Sequence, residues 1–456
     1  MDIIKSIMPI NTEKPVNNSK YETPDIIIKG GTLLTMVDGE APIENASVHI
    51  KGDRVLDIRP AGISPSDEGT EIINADKCIV MPGLVNGHCH TAMTIFRGYA
   101  DDLSLNEWLY KRIFPAEAAH ATPENVYWGA LLGCLEMIAS GTTSLIDGYF
   151  YEDESFRAVH ESGMRAILGQ GVIDFPAPGV TDPKENLRIG KEFIEKHLHF
   201  SGLITPGLFC HSPVTCSDKT LARAMEISME YSVPMQTHLS ETRKEVDKII
   251  NRTGKRPALH LNDLGLLNKN LIAAHSVHLD DEEITLLSRK GVKVVHSPES
   301  NMKLSSGVAR VTDMIDAGIK PGIGTDGCAS NNNLDLFKEM DTAAKLGKVF
   351  TSDPSNLKAG TVLRMATIWG AGVMGLGDQT GTIERGKKAD IIVVDTRSPN
   401  MTPLYNPVSS LVYSASGSDV KDVVVNGRIL MKDRMFLTLD CKEITARVRA
   451  IGREIK

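Results

Sequence analysis

The stretch VMPGLVNGHCH, residues 80–90, decides how the chain is read. It starts as an apolar run and ends in two imidazoles, His88 and His90, two positions apart. On an extended strand such residues share a face, so both rings point one way and Cys89 the other. Two imidazoles at a strand end suit a borderline cation such as zinc, but a structural pair on a half-buried strand has the same pattern. The choice between them comes from other strand ends. His238 closes VPMQTHLSE, His275 closes LIAAHSVH and Asp326 closes KPGIGTDG.

Working outward, eight short β-rich segments alternate with stretches long enough for a helix. The candidate strands are residues 78–86, 142–147, 165–173, 203–210, 233–237, 271–274, 292–295 and 320–324. One intervening helix is well marked, with Thr122 as N-cap, Pro123 at the first helical position, Glu124 in the first turn and Gly141 at its stop. Alternation of this kind implies a parallel sheet, and eight units imply an α/β fold, a closed (β/α)8 TIM-like barrel. In such a barrel every C-terminal strand end faces one mouth. His88, His90, His238 and Asp326 then meet as a metal site from strands one, five and eight.

The flanks follow a different pattern. DIIIKGGTLLTMVDG and ASVHIKGDRVLDI near the start, and ADIIVVD and DVVVNGRILMKD near the end, read as antiparallel hairpins, with Asn426-Gly427 as a two-residue turn. Each flank alone is too small to bury a sheet face. The expected organisation is therefore a polar leader over 1–24, a small β-sandwich from 25–80 plus 386–440, a barrel over 81–385, and a C-terminal helix or tail over 441–456.

The chain has 456 residues, with 50 Lys+Arg against 58 Asp+Glu and a net charge of −8, so it lacks the basic field that nucleic acid or an anionic membrane would attract. No run reaches the roughly 20 apolar residues of a membrane span. Seven scattered cysteines without a CxxC pair suit reduced thiols in the cytoplasm.

The motifs PGLVNGHCHTAMTIFRG, LNEWL, HLSET, AAHSVHLD, HSPESNMKLSSGVARV, GTDGCASNN and GTIERGKKADIIVVD stand in this order across most of the chain. In them the sequence resembles the amidohydrolase superfamily, in the branch of hydrolytic deaminases and triazine hydrolases. It is most similar to methylthioadenosine/S-adenosylhomocysteine deaminases. The resemblance implies a barrel with a β-sandwich built from both chain ends, and one divalent metal per subunit. Zinc is the expected ion, with iron(II) or manganese(II) as alternatives that a His3Asp set also accepts. His88, His90, His238 and Asp326 match the metal ligands, and Glu241 matches the acid/base that protonates a ring nitrogen. His275 matches the histidine that orients the nucleophilic water, and Asp326 matches the base that takes its proton. Glu117, 27 residues after His90, matches the carboxylate that grips ribose hydroxyls, and His211 matches a histidine beside the purine. Trp108 closes the pocket or belongs to the core, and Ser330 and Asn331 hold the adjacent loop.

These matches lead to hydrolytic deamination of a 5′-modified adenosine, such as S-adenosylhomocysteine, 5′-methylthioadenosine or 5′-deoxyadenosine, by an enzyme expected to be a homo-oligomer. The alternative keeps the chemistry on a free heterocycle: a guanine, pterin, cytosine or s-triazine. A scaffold without activity would have lost metal ligands, and all four are present. One departure concerns the substrate. Relatives carry arginines after the third strand, whereas ILGQGVIDFPAPGVTDPKENL has Gln170 and no arginine, Arg165 and Arg188 flanking it. Val214 also stands where relatives often have an aromatic residue. A carboxylate-bearing tail thereby loses its expected cationic partner.

Overall fold

A computed structural model describes residues 23–60 and 69–455; nearly all of the expected leader lies outside them. Eight parallel strands close a barrel: β1 (Leu84–His90), β2 (Thr142–Tyr149), β3 (Arg165–Val172), β4 (Ile204–Cys210), β5 (Met235–Leu239), β6 (Leu271–His275), β7 (Lys293–His296) and β8 (Gly322–Ile323 with Asp326–Gly327). Each strand pairs with the next, and the ring closes where Asp326 and Gly327 pair with Cys89 and His90. The barrel is the fold expected from the alternation. Strands covered by helices outside and side chains inside bury both faces, which is why β2 and β3 are buried at every position, their polar residues included.

β8 is broken. Its first half pairs with β7 and its second with β1, with Gly324 between. A Cβ on Gly324 would lie 2.6 Å from the His88 nitrogen, so only glycine lets the two strands approach closely enough to bring Asp326 to the histidines.

The segment read as one strand, residues 78–86, serves two sheets. Cys78–Pro82 pairs antiparallel with Ile391–Asp395, and β1 begins only at Leu84. The chain breaks at Pro82-Gly83, where a side chain on Gly83 would collide with Thr143 at 2.1 Å. Apolarity alone did not reveal this boundary, because both halves are buried.

Chain ends build two packed sheets. One orders Arg54–Pro60, Ala46–Lys51, Ile26–Lys29 and Glu71–Asn74; in the other, Ile391–Asp395 lies between Cys78–Pro82 and Val420–Val425. Ile28, Val48, Ile50, Val80, Ile391 and Val393 share the core between them, so each flank supplies what the other lacks. Burying each such side chain is worth about 2 kcal/mol. The Asn426-Gly427 turn has φ of 50° and 74°, the pair of positive values that a two-residue hairpin demands.

Arg165 ties the sandwich to the barrel. Its Nε and Nη2 donate to the Asp390 carboxylate at 2.7 and 3.1 Å, and both side chains are 3% exposed. The best-marked helix, Pro123–Ala139, is capped as expected: the Thr122 hydroxyl accepts from the Asn125 nitrogen at 3.2 Å. Ile444 of the C-terminal helix, Cys441–Ile455, packs with its Ala130, Leu131 and Leu135. No helix among the described residues is long and apolar enough to cross a membrane.

Candidate active site

Four imidazoles and a carboxylate converge at the C-terminal mouth of the barrel. The strand ends place them: His88 and His90 on β1, His238 on β5, His275 ending β6 and Asp326 in β8. Donor atoms of His88, His238, His275 and Asp326 all lie within 4.8 Å of one another. Nε2 of His88 and of His238 are 3.2 Å apart, and Asp326 Oδ1 lies 3.6 Å from His88 Nε2 and 3.2 Å from His90 Nε2.

Protons are arranged to leave lone pairs at this point. His90 Nδ1 lies 2.6 Å from the Gly148 carbonyl, a contact only an N–H can make, so Nε2 carries the lone pair. Asn301 Oδ1 fixes His275 in the same way at 2.8 Å from Nδ1. Burial holds His88 neutral, lowered to about 4, and drives His238 well below 6.5. Burial works against the charge of Asp326, but contacts with His88 and His90 win and hold it well below the usual carboxylate range. Ser300 and Ser330 donate to its other oxygen at 2.6 and 2.7 Å, leaving Oδ1 on the histidine side. Burial works against charge on His90 and His275 as well, but the carboxylates of Asp326 and, for His275, Glu241 hold both above the usual imidazole value. Four imidazoles around an ionised carboxylate in a buried pocket fit a divalent cation, which would replace those protons, and the polar partners behind them are those that orient metal ligands.

A pocket of about 700 Å³ opens from this cluster. Glu241, just beyond β5, is buried, accepts from the Ser306 hydroxyl at 3.1 Å and has Oε2 3.7 Å from His275 Nε2. Burial pushes its carboxyl up to about 7, so near neutrality it carries a proton much of the time. His211 follows β4; Nδ1 lies 2.9 Å from the Thr215 hydroxyl, and burial lowers it to about 3. Glu117 belongs to Phe114–His120, which continues from the helix of Leu105–Trp108 through a π-helical turn. The Tyr149 hydroxyl donates to it at 2.8 Å, and burial raises it to about 7. Trp108, 6% exposed, lines the pocket with Leu105, Ile113 and Phe114.

Residues 79–430 match the Amidohydrolase family. The chain belongs to that family. It is 45% identical over 433 residues to the 5-methylthioadenosine/S-adenosylhomocysteine deaminase of Syntrophobacter fumaroxidans, covering 95% of this chain and 98% of that one. It is likewise 45% identical over 434 residues to the 5′-deoxyadenosine deaminase of Methanosarcina mazei, covering 94% and 98%. Among solved structures, an adenosine deaminase from Xanthomonas campestris with bound zinc superposes with a TM-score of 0.91 at 35% identity, covering 95% and 99%. Atrazine chlorohydrolase from Arthrobacter aurescens TC1 shares the fold, at 22% identity and a TM-score of 0.87.

All nine side chains singled out from the sequence of this amidohydrolase face or line the one mouth, with His88 behind the pocket-lining His90 and His238. Gln170 does not: it is buried, its side-chain oxygen accepting from the Glu152 nitrogen at 3.2 Å. Arg165, engaged with Asp390, cannot serve a ligand either. Tyr149, Asn301, Ser300 and Ser306 were not singled out. The last three lie within the motif HSPESNMKLSSG, whose polar spacing was a usable signal, but DGYFY offers none for Tyr149.

Proposed function

We propose that this amidohydrolase is a zinc-dependent aminohydrolase that replaces the exocyclic amine of a 5′-modified adenosine by oxygen and releases ammonia. The observation that carries it is one pocket with the histidine–Asp326 cluster and Glu241 on one wall and a buried Glu117 on another. A carboxylate held in an apolar wall by a single tyrosine needs a further donor, and a ribose diol provides two. Relatives named as deaminases of adenosine derivatives support the same substrate class.

His88, His90, His238 and Asp326 would hold the cation, which when bound acidifies a water toward neutral pH. Asp326, one oxygen kept in place by Ser300 and Ser330, is placed to take up a proton from the attacking water. Glu241 delivers its proton to the ring nitrogen beside the amine-bearing carbon, which makes that carbon electrophilic. His275, held by Asn301, faces both Glu241 and Asp326 and orients the attacking water. The water oxygen bonds to that carbon, the proton taken by Asp326 passes to the amine, the carbon–nitrogen bond breaks to release ammonia, and the remaining hydroxyl proton returns to Glu241. Glu117 and His211 hold the nucleoside, with Trp108 closing over it.

The reading also takes the enzyme as a cytoplasmic homo-oligomer; support comes from seven cysteines without a disulfide and from apolar side chains exposed at Val349 and Tyr405. Ammonia release by zinc-loaded protein tests the substrate class. The panel sets 5′-deoxyadenosine, methylthioadenosine and S-adenosylhomocysteine against guanine, cytosine, a pterin and a chlorotriazine. Turnover of the adenosines is expected; turnover of free heterocycles alone would overturn it.

A further inference from the structure

The catalytic pocket does not end at the nucleoside. It opens through a neck at Leu105, Leu109, His211, Glu245 and Leu304 into a second, solvent-open cavity of about 1240 Å³. Three cations line that cavity, Arg243, Lys244 and Lys248, from the first two turns of the helix Arg243–Thr253. All are exposed, and among the described residues none forms an ion pair. Their neighbours differ: Arg252 pairs with Asp218 at 3.1 Å and Arg256 with Asp280 at 2.7 Å.

The carboxylates around them offset this charge only in part: Asp247, exposed on the same helix, forms no ion pair with any of the three among the described residues. Among the described residues Glu245 is the only carboxylate lining the cavity, and its Oε2 accepts from the Thr242 backbone nitrogen at 3.0 Å as part of the helix cap. Glu107 on the facing segment is held by Lys111 at 2.9 Å. His278 is occupied, its Nε2 bound to the Ser306 carbonyl at 2.6 Å. The N-terminal end of the helix adds its own positive potential.

We propose that Arg243, Lys244 and Lys248 form a subsite for a carboxylate at the far end of the 5′ substituent of the adenosine. The proposal rests on the adenosine reading above. It supplies, from the segment after β5, the cationic partner missing after β3, where Gln170 is turned inward and Arg165 is locked to Asp390. Leu105, Leu109 and Leu304 give the neck an apolar side that fits the thioether stem of such a tail, and the cations line the cavity beyond it. A phosphate on the 5′ oxygen is shorter than such a tail, so the proposal gives it less from these cations.

The test compares kcat/KM, by ammonia release from the zinc-loaded full chain, for S-adenosylhomocysteine, its decarboxylated amine analogue, methylthioadenosine and adenosine 5′-monophosphate. The carboxylate-tailed compound should exceed the amine-tailed one by about 10-fold or more, as charge-assisted pairing predicts. In R243Q/K244Q/K248Q the ratio of S-adenosylhomocysteine to methylthioadenosine should fall about 10-fold, mainly through KM, and R243K/K244R/K248R should restore it. A ratio unmoved within twofold, with methylthioadenosine still turned over, overturns the subsite alone. Preference for the monophosphate would likewise overturn it. If no adenosine is turned over, the substrate class falls and the subsite with it.

Discussion

Glu117 is costly to the fold, and the cost can be measured. Replacing it by glutamine keeps its size and its hydrogen bond from Tyr149 but removes the charge. In the folded chain the carboxyl is 5% exposed, has a single protein donor, and is pushed by burial from the ordinary 4.5 to about 7. A raised carboxyl favours the folded state only while it is protonated. Below about pH 4.5 both states hold the proton and nothing is lost. As the pH rises from there to 7 the unfolded chain gives up its proton first, so stability falls, and above 7 the loss is complete. The displacement corresponds to about 3 kcal/mol at pH 8, an upper figure because the site relaxes. Unfolding entropy of ~2 cal/mol/K per residue makes that about 3 °C in a chain of this length. Glu117→Gln should therefore melt about 3 °C higher at pH 8 and within about 1 °C of the parent at pH 5, by calorimetry on metal-loaded protein. In the same variant kcat/KM for methylthioadenosine should drop about 100-fold, the value of charge-assisted bonds to a ribose diol. Equal stabilisation at both pH values would refute the buried charge, and unchanged kcat/KM would refute the ribose contact.

Glu241→Gln should retain one metal per chain by elemental analysis while kcat falls about 1,000-fold, as loss of a general acid implies; a near-parental rate would remove that role. Chelation of the metal should lower the melting temperature by about 4 °C, the effect of a ligand present at 1,000 times its Kd, and unchanged melting would argue against a cation at the histidine cluster. Tyr149→Phe strips Glu117 of its protein donor and should raise KM for adenosines about 10-fold with little change in kcat, measured by steady-state kinetics.

Most of the barrel could be read from the sequence because its strands are buried on two faces, which turns strand sequence into apolar runs separated by helical signals. The same physics concealed the junction at Gly83. Residues 78–90 are buried throughout, so apolarity alone cannot say that Cys78–Pro82 belongs to one sheet and Leu84–His90 to another. In the site, legibility followed chemistry. Histidines and acids at strand ends carry their purpose in their type and spacing. Tyr149 and Asn301 act only through what they touch, and contacts across the barrel leave no local trace. The arginine and lysines after Glu241 carry no motif of their own, and only the second cavity, whose wall they line, gives them a place in the site.

Backbone conformation is the part of the site that composition could not convey. His275, Ser276, Ser240 and Asp326 have φ between 49° and 64°, in the left-handed region that non-glycine residues avoid. Each such residue costs about 1 kcal/mol or more, and glycine at those positions would relieve it. Two of the four bear the donor groups themselves, and Ser240 lies between His238 and Glu241. His275 ends β6 and Asp326 opens the second half of β8, so a left-handed backbone stands at both donor-bearing residues and helps aim them at one point. The surrounding hydrogen bonds hold the strain in place: Ser276 and His278 donate their backbone nitrogens to Leu239 and Ser240 carbonyls at 3.0 and 2.9 Å. The geometry of the mouth thus depends as much on the backbone after β5, at the end of β6 and within β8 as on the identity of the residues there.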